Sequence, residues 1–374
     1  MSKKVLILSE AIGNGHTRAA EALVQGISHL DPSIHTKILE VGRSLHPITS
    51  KLLVNSYLKM VILCPSLWRK MYQYKQNMPI SNLRKLVIYQ LFHRKIECII
   101  EQEKPHLIIC THPFTSSSVS RLKNRGHSFE LCTLVTDYHV HGAWVHKEVD
   151  FYLVSCKDVS NQLMEMGIPN NRLIVTGMPI DSNFWVKKNK EDARKKLALN
   201  NIPTVMVMGG GLGLGGIKQI ASELLKWKEK LQVIICTGKN EKLRRSLLKD
   251  EIDQHPNVHI LGYVEHVDEW MASADILITK PGGLTCYEAI SKGLPICIYQ
   301  PIPGHEENNC DYLVKKGLAI EFSDLKKINN LIEKLLYSPK EIEISKDKIK
   351  EFQKNIDPLA SAGSIIQILC KPSS

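Results

Sequence analysis

From Ile276 to Ala289 the chain reads ILITKPGGLTCYEA. The first four residues are apolar or β-branched and predict a buried strand, the Pro-Gly-Gly turn ends that strand, and the remainder begins a helix. At such a turn the unpaired amides of Gly282 and Gly283 can hold a diphosphate. Glu288, one helical turn further on, can accept two hydroxyls of a ribose. We therefore predict a parallel sheet with a ligand of this chemistry at the ends of its strands.

The same order of apolar run, glycine turn and helical stretch recurs along the whole chain. The runs that we interpret as strands are Val5–Leu8, Lys37–Val41, Leu107–Cys110, Leu131–Thr136, Phe151–Ser155, Leu173–Thr176, Thr204–Met208, Val233–Thr237, Val258–Leu261, Ile276–Thr279, Ile296–Tyr299 and Leu318–Phe322. Runs this apolar suit strands that are buried on both faces, and their alternation with helices predicts an α/β fold with doubly wound, Rossmann-like sheets.

A change of composition after the sixth run divides the chain. Gly177-Met178-Pro179 and then a lysine-rich polar stretch separate this run from the seventh. We therefore predict an N-terminal domain over residues 1–180 and a C-terminal domain over residues 185–350. Residues 351–374 form a C-terminal segment whose helix we expect to pack across the two domains.

Two further glycine-rich turns follow predicted strands. Gly13-Asn14-Gly15-His16 places a histidine at the start of a helix, in the region where open α/β sheets bind ligands, although a plain strand-to-helix turn would also explain the glycines. Arg18 replaces the third glycine of the dinucleotide fingerprint, and no ATPase-type phosphate loop is present. Six glycines lie between Gly209 and Gly216, which is more than a turn requires. This favours a loop that wraps phosphate, with Gly210 and Gly211 as contacts.

The bulk composition is that of a globular protein, with 43% hydrophobic and 23% charged residues among 374. Such a composition argues against disorder. No run approaches the roughly 18 apolar residues of a membrane span, and no secretory signal is recognisable at the start. The ten cysteines include no Cys-x-x-Cys pair, so we expect buried free thiols in a reducing cytosol.

The net charge of +11 is concentrated in one segment. Between Arg43 and Lys104 there are eleven lysines or arginines and three acids, together with aromatic residues and apolar clusters. This combination fits docking on an anionic lipid surface, with Trp68, Arg69 and Tyr72 as contacts. A pair of core helices with solvated lysines is the alternative interpretation. Because no RNA-binding signature accompanies the charge, we expect no nucleic-acid partner.

Several motifs together resemble those of the family 28 glycosyltransferases, in particular the monogalactosyldiacylglycerol synthases and the bacterial diacylglycerol glucosyltransferases. The peptidoglycan N-acetylglucosaminyltransferase is a more distant relative. The motifs are GNGHTRAA from Gly13, VTD and WVH between Val135 and His146, GMP from Gly177, KPGGLTCYEA from Lys280 and PIPGHEENN from Pro301. The resemblance covers nearly the whole chain and implies a GT-B fold, in which two Rossmann-like domains face a central cleft that holds the active site.

The resemblance also implies roles for individual residues. His16 stands at the position of the family's catalytic base. Asp137 is a candidate partner of the base or the acceptor, although a capping aspartate after a strand would have the same pattern. Gly13 and Gly15 belong to the acceptor side. The implied donor contacts are Lys280, Pro281, Gly282, Gly283 and Thr285 for the diphosphate, Glu288 for the ribose, Gly262, Tyr263 and Val264 for the uracil side, and Glu306 and Asn309 for the sugar. His305, a further donor-side residue, stands where relatives usually carry Gln, which leaves the donor sugar open.

From these residues we predict an inverting transfer of a hexose from a UDP-sugar to a lipid hydroxyl such as that of diacylglycerol. We expect neither cofactor nor metal, because the chain has no Asp-x-Asp pair and because His139 and His141 have no third ligand at a convincing spacing. A transferase for a soluble acceptor, a sugar-nucleotide 2-epimerase and a non-enzymatic nucleotide-sugar sensor are the alternatives. The expected location is the cytoplasm, peripheral on the inner face of the cell membrane.

Overall fold

The computed structural model describes residues 3–10, 14–64, 66–70, 95–249, 255–338 and 340–370. The chain divides into two units, Met1–Ser182 with Asp357–Ser374 and Asn183–Ile356. Each unit contains a six-stranded parallel sheet with helices between its strands. The fold class predicted from the alternation of apolar runs and helical stretches is thereby confirmed.

The first sheet consists of β1 (Lys4–Ser9), β2 (His35–Glu40), β3 (Leu107–Cys110), β4 (Glu130–Leu134), β5 (Phe151–Val154) and β6 (Leu173–Val175). These strands pair in the order β2-β1-β3-β4-β5-β6, and every pair is parallel. The helices between them are α1 (Gly15–Leu30), α2 (Val41–Leu45), α3 (Pro47–Leu63), α4 (Ile96–Glu103), α5 (Pro113–Lys123) and α6 (Lys157–Glu165).

The second sheet consists of β7 (Thr204–Met208), β8 (Gln232–Cys236), β9 (Val258–Leu261), β10 (Ile276–Thr279), β11 (Ile296–Tyr299) and β12 (Ala319–Phe322). Their order is β12-β11-β10-β7-β8-β9, again with parallel pairs. The helices of this unit are α7 (Lys190–Lys196), α8 (Ile217–Leu224), α9 (Glu241–Leu248), α10 (Val267–Ser273), α11 (Gly283–Ser291), α12 (His305–Lys315), α13 (Lys326–Tyr337) and α14 (Lys340–Gln353).

The last helix, α15 (Ala360–Cys370), returns to the first unit and packs on α1. A Cβ atom at Gly26 of α1 would lie only 2.9 Å from Cβ of Ala362, so these two small residues let the helices approach closely. Ile365 and Ile368 of α15 are buried in the same apolar core as Leu23. Oγ of Ser361 also donates to Oγ1 of Thr176 over 2.9 Å.

Each sheet has one place where the chain changes direction. In the first sheet β2 and β3 lie on opposite sides of β1, so the switch point lies between β1 and β3. In the second sheet it lies between β7 and β10. Because the loops after two such strands leave in opposite directions, they open a crevice at the carboxyl ends of the strands, and ligands of open α/β sheets bind there.

All twelve apolar runs predicted as strands are strands, with bounds that agree to within two residues. The basic segment is described only in part, since residues 71–94 lie outside the described residues. Among the helices that are described, none combines the length and the apolar character needed to cross a bilayer.

Candidate active site

His16 lies in the first turn of α1, beyond the carboxyl end of β1. Its Nδ1 atom is 3.0 Å from Oγ1 of Thr136, a buried residue just beyond β4. The next residue of the helix, Thr17, donates from Oγ1 to Oε1 of Glu40 over 2.8 Å and thereby ties the helix start to the end of β2. Thr136 therefore contacts one of the two ring nitrogens of His16.

A second histidine lies beside His16. His112 follows β3 and precedes α5 as its N-cap, so the two rings come from the two sides of the switch point. Their centroids are 4.7 Å apart and their planes cross at 85°. Nδ1 of His112 accepts a hydrogen bond from the backbone N–H of Phe114 over 3.2 Å, and the side chain is buried.

His112 is not among the residues whose role could be predicted from sequence. Two signals were nevertheless present: it comes two residues after a predicted strand, and Pro113 behind it marks a helix start. What was missing was the strand order. Only when β3 is known to be the neighbour of β1 does the loop after Cys110 come next to the loop that carries His16.

Trp144 completes the surroundings of His16. Its ring is 1% exposed and lies 6.3 Å from the His16 ring. It belongs to a short 3-10 turn, Gly142–Trp144, that packs against α5. Small buried hydroxyl side chains on α5 leave room for this turn: Thr115, Ser116, Ser117, Ser118 and Ser120.

Asp137, the predicted partner of the base or the acceptor, is the next residue after this group's Thr136. It follows Thr136, and it is Thr136 that contacts the ring of His16. The backbone carbonyl of Asp137 accepts from Oγ of Ser155 over 2.6 Å, and its side chain is half-buried. A catalytic role for its carboxylate stays a prediction.

The other residues assigned to the acceptor side are described unevenly. Gly15 begins α1, and a Cβ atom there would meet nothing within 4 Å, so the backbone is open at this point. Trp68 is half-buried and Arg69 is exposed, in a helical stretch over residues 66–70. Gly13 and Tyr72 lie outside the described residues.

In the second unit, the glycine loop after β7 folds around Lys280. Four of its glycines have positive φ angles, which residues other than glycine rarely adopt: Gly210, Gly213, Gly215 and Gly216. A Cβ atom at Gly210 would lie 3.2 Å from Cε of Lys280, and one at Gly215 would lie 3.3 Å from its Cβ. The carbonyl of Gly211 accepts a hydrogen bond from the N–H of Lys239 over 2.9 Å, which ties the loop to the end of β8.

Three predicted donor contacts come together at this switch point. Nζ of Lys280 pairs with Oε1 of Glu306, and Oε2 of Glu306 accepts from the N–H of Ile302 over 2.9 Å. Asn309 donates from Nδ2 to the carbonyl of Pro281 over 3.2 Å. Glu306 and Asn309 are fully buried on α12, so this helix is fastened to the turn that begins α11.

Helix α11 carries the remaining contacts predicted around Gly282. Gly282 is its N-cap with φ −67°, Gly283 is its first residue, and Thr285 is half-buried in its first turn. Glu288 is 3% exposed, so its carboxylate lies inside the unit rather than on its surface. A Cβ atom at Gly282 would lie 3.5 Å from Nζ of Lys280, so this helix start lies beside the lysine ammonium. The N–H of Gly282 donates to the carbonyl of Lys280 over 2.8 Å, so this amide, which was predicted to hold a diphosphate, already has a backbone partner.

The predicted uracil-side loop follows β9. Tyr263 is exposed, and Nζ of Lys239 lies 5.3 Å from the centre of its ring. A Cβ atom at Gly262 would have ordinary contacts with Arg244 and Glu241 of α9. Val264 is half-buried, as is His305, the first residue of α12.

The histidines considered for metal binding do not form a group with other ligands among the described residues. One group of potential ligands is found there, Glu97 and Glu101 on α4 with His127, whose ligand atoms lie within 4.8 Å of one another. Nε2 of His127 is 3.0 Å from Oε1 of Glu97, so two of these three residues already pair with each other.

Two family descriptions match the two halves of the chain. The family described as monogalactosyldiacylglycerol (MGDG) synthase matches residues 16–180, and the family described as glycosyltransferase family 28 C-terminal domain matches residues 204–362. Proteins named processive diacylglycerol beta-glucosyltransferase, from Bacillus cereus and Bacillus subtilis, are 31% identical over 371 residues. The match covers 98% of this chain and 93% and 94% of theirs, respectively.

Solved structures resemble the chain over its full length. HepE of Anabaena in complex with UDP and glucose has a TM-score of 0.60 at 14% identity, covering 99% of this chain and 100% of that one. MurG of Acinetobacter baumannii has a TM-score of 0.62 at 13% identity, covering 98% and 99%. A putative UDP-N-acetylglucosamine 2-epimerase from Listeria monocytogenes has a TM-score of 0.62 at 12% identity, covering 98% and 95%. At these identities the likeness establishes the GT-B fold alone.

Proposed function

The chain belongs to the glycosyltransferases that join a monogalactosyldiacylglycerol synthase region to a family 28 C-terminal domain, and we propose that it transfers a hexose from a UDP-sugar to the hydroxyl of diacylglycerol. The observation that carries this proposal is the similarity to diacylglycerol glucosyltransferases along 98% of the chain. The histidine at the first switch point and the glycine turns at the second support it, because they supply a base and a diphosphate site.

The donor is held by the second unit in this proposal. The amide of Gly283 at the start of α11 and the ammonium of Lys280 stabilise the negative charge that develops on the diphosphate as its bond to C1 of the sugar breaks. The glycine loop that folds around Lys280 lets backbone approach the same phosphates closely. Glu288 accepts hydrogen bonds from the ribose hydroxyls, and Glu306 and Asn309 contact the sugar.

The acceptor is activated by His16. Nδ1 lies 3.0 Å from Oγ1 of Thr136, and the proposal assigns the ring proton to this nitrogen. Nε2 then carries a lone pair and takes the proton of the acceptor hydroxyl. The acceptor oxygen forms its bond to C1 while the C1–oxygen bond to UDP breaks, and the electron pair leaves with the diphosphate. A single displacement of this kind inverts the configuration at C1. No metal takes part in the proposed step, since backbone amides and Lys280 carry the leaving-group charge.

We further propose that the basic segment attaches the protein to an anionic lipid surface on the cytoplasmic side. Four apolar side chains on and just after α3 are more than half exposed: Ile48, Leu52, Leu63 and Leu67. Four exposed cationic residues accompany them: Arg43, Lys59, Arg69 and Lys70. Exposed apolar groups next to positive charge favour insertion at the headgroup level of an anionic bilayer, and each cation contributes about 1 kcal/mol there.

The test is a transfer assay with defined donors and vesicles. UDP-glucose, UDP-galactose and UDP-N-acetylglucosamine are each incubated with the full chain, with and without diacylglycerol in the vesicles, and UDP release and the lipid product are measured. We expect UDP release that requires diacylglycerol, an inverted glycosidic bond in the NMR spectrum of the product, and the same rate in EDTA. UDP release with a soluble acceptor alone, interconversion of the donor sugars, or binding without turnover would each contradict the proposal.

A further inference from the structure

We propose that His112 is a positioning residue that keeps the ring of His16 in the orientation needed for proton transfer. This inference rests on the proposed function, in which His16 is the base. Three observations carry it: the two rings are in contact, they come from opposite sides of the switch point, and His112 is itself held by the backbone of α5.

One hydrogen bond does not fix an imidazole ring. The contact of Nδ1 with Thr136 fixes one atom of His16, but the ring can still rotate about its bond to Cβ, because this torsion has broad energy wells. A second ring, 4.7 Å away and nearly perpendicular, removes that freedom by contact. Trp144 lies further off, at 6.3 Å, so His112 is the nearer of the two rings.

His112 is suited to this role because its capping hydrogen bond uses one ring nitrogen as an acceptor. Nδ1 of His112 accepts the N–H of Phe114, so this nitrogen carries no proton. The position at the N-terminus of α5 also disfavours an imidazolium, since the helix dipole is positive there. A second imidazolium in contact with His16 would oppose the positive charge that His16 acquires during the reaction.

Two substitutions separate the ring of His112 from its capping hydrogen bond. His112→Asn keeps a good N-cap acceptor and removes the ring, whereas His112→Phe keeps a ring of similar shape and removes the cap. For His112→Asn we expect an unchanged melting temperature, a KM for the UDP-sugar within about twofold, and a kcat lower by roughly 10- to 100-fold, because misplacing a catalytic group has effects of this size. His112→Phe should recover most of that kcat, at a lower melting temperature.

A histidine in the other unit whose Nδ1 also accepts a backbone N–H two residues on provides the matched control. Nδ1 of His255 accepts from the N–H of Asn257 over 3.3 Å, and His255→Asn should leave kcat and KM unchanged. The inference is overturned if His112→Asn keeps wild-type kcat, or if His112→Phe loses as much kcat as His112→Asn.

A measurement without turnover separates this inference from the proposed function. In the wild-type chain we expect the ring nitrogens of His16 to give one set of 15N signals, typical of a proton on Nδ1, and in His112→Asn we expect signals averaged between tautomers. Absence of transfer by the wild type would contradict the proposed function alone. Identical His16 signals in the two proteins would contradict the role of His112 alone.

Discussion

Nδ1 of His16 and Oγ1 of Thr136 lie 3.0 Å apart, which gives the imidazole a defined partner on the side away from the proposed proton transfer. Thr136→Val removes that partner and keeps the shape of the side chain. We expect kcat to fall about tenfold, since the tautomer with a proton on Nδ1 is then no longer favoured. Steady-state kinetics with saturating UDP-sugar measures this loss.

Thr176→Val is the control for that substitution. Thr176 is likewise a buried threonine at the end of a strand in the first unit, but its Oγ1 pairs with Oγ of Ser361. This variant should lose about 1 kcal/mol of stability while keeping its kcat, because a buried hydroxyl loses its hydrogen bond. An equal fall of kcat in both variants would mean that the contact with His16 is not the cause.

The pair Lys280 and Glu306 is predicted to stabilise the second unit as well as to serve the donor. Both side chains are mostly buried, so removing either partner leaves a buried charge without compensation. Lys280→Met or Glu306→Gln should each cost about 3–5 kcal/mol of unfolding free energy, whereas the double variant should cost less than the sum of the two. Urea denaturation of the four proteins checks this cycle, and additive effects would show that the pair is not coupled.

Gly282→Ala tests the proposed diphosphate site without disturbing the fold. With φ −67° the backbone accepts alanine, and the new methyl would lie 3.5 Å from Nζ of Lys280, an ordinary contact. It would nevertheless lie beside the ammonium that is proposed to hold the phosphates. We expect an unchanged melting temperature and an affinity for UDP weaker by roughly tenfold or more, comparable to other misfits of one carbon.

Gly216→Ala should have the opposite effect, namely a lower stability with an unchanged affinity for UDP. Its φ is +69°, and the added Cβ would be 2.7 Å from both the ring of Tyr299 and Oε1 of Gln300. We expect a loss of about 1–3 kcal/mol in stability from backbone strain and overpacking. Calorimetric titration with UDP and thermal unfolding distinguish the two variants. Tight UDP binding by Gly282→Ala would remove the glycine turn from the donor site.

Attachment to anionic lipid is predicted to depend on both apolar and charged side chains of the basic segment. Leu63→Ser should weaken binding to phosphatidylglycerol vesicles at any salt concentration. Arg69→Gln should weaken it about fivefold at low salt and little at high salt, because one cation near the surface is worth about 1 kcal/mol and is screened by ions. Sedimentation with vesicles measures both effects.

The control for the leucine is an equally exposed apolar residue elsewhere. Val186 in the second unit is 63% exposed, against 73% for Leu63. Val186→Ser should leave vesicle binding unchanged. If binding is insensitive to salt and to both segment variants, the interpretation of this segment as a pair of core helices gains support instead.

The reactivity of the thiols gives a further prediction. Cys64, Cys98 and Cys370 are exposed, whereas the other seven cysteines are buried. Burial raises the pKa of the Cys110, Cys236 and Cys297 thiols to about 12 and also raises the pKa of Cys132 and Cys286. A thiol-specific chromogenic reagent at pH 8 should therefore react rapidly at three sites in the native chain and at ten after denaturation. Rapid reaction of a strand cysteine would contradict the buried sheets.

The sheets could be predicted from the sequence because strands buried on both faces are apolar throughout, and the glycine turns between them are equally distinct. The glycine turn at Gly282 and the histidine at the start of α1 were recognisable for the same reason. The partners of these residues were not. Thr136 was quoted within a motif but received no role, since nothing in a sequence shows which residue after β4 reaches His16.

Two further contacts could not be predicted from the sequence: that of His112 with His16 and that of Lys280 with Glu306. His112 becomes a neighbour of His16 only through the strand order β1-β3, which apolar runs do not specify. Lys280 and Glu306 were each predicted to contact the donor, and the structure shows that they also contact each other. Such pairing depends on side-chain geometry across two loops 26 residues apart, which no local pattern contains.

The central claim is that His16 takes the acceptor's proton during transfer to a lipid. It is tested most directly by comparing wild type with His16→Ala in the diacylglycerol assay, with donor affinity measured in parallel. Loss of general-base catalysis costs about 100- to 10,000-fold in rate, so we predict a fall in kcat of that order with unchanged affinity for UDP. Turnover by His16→Ala close to that of wild type would contradict the account.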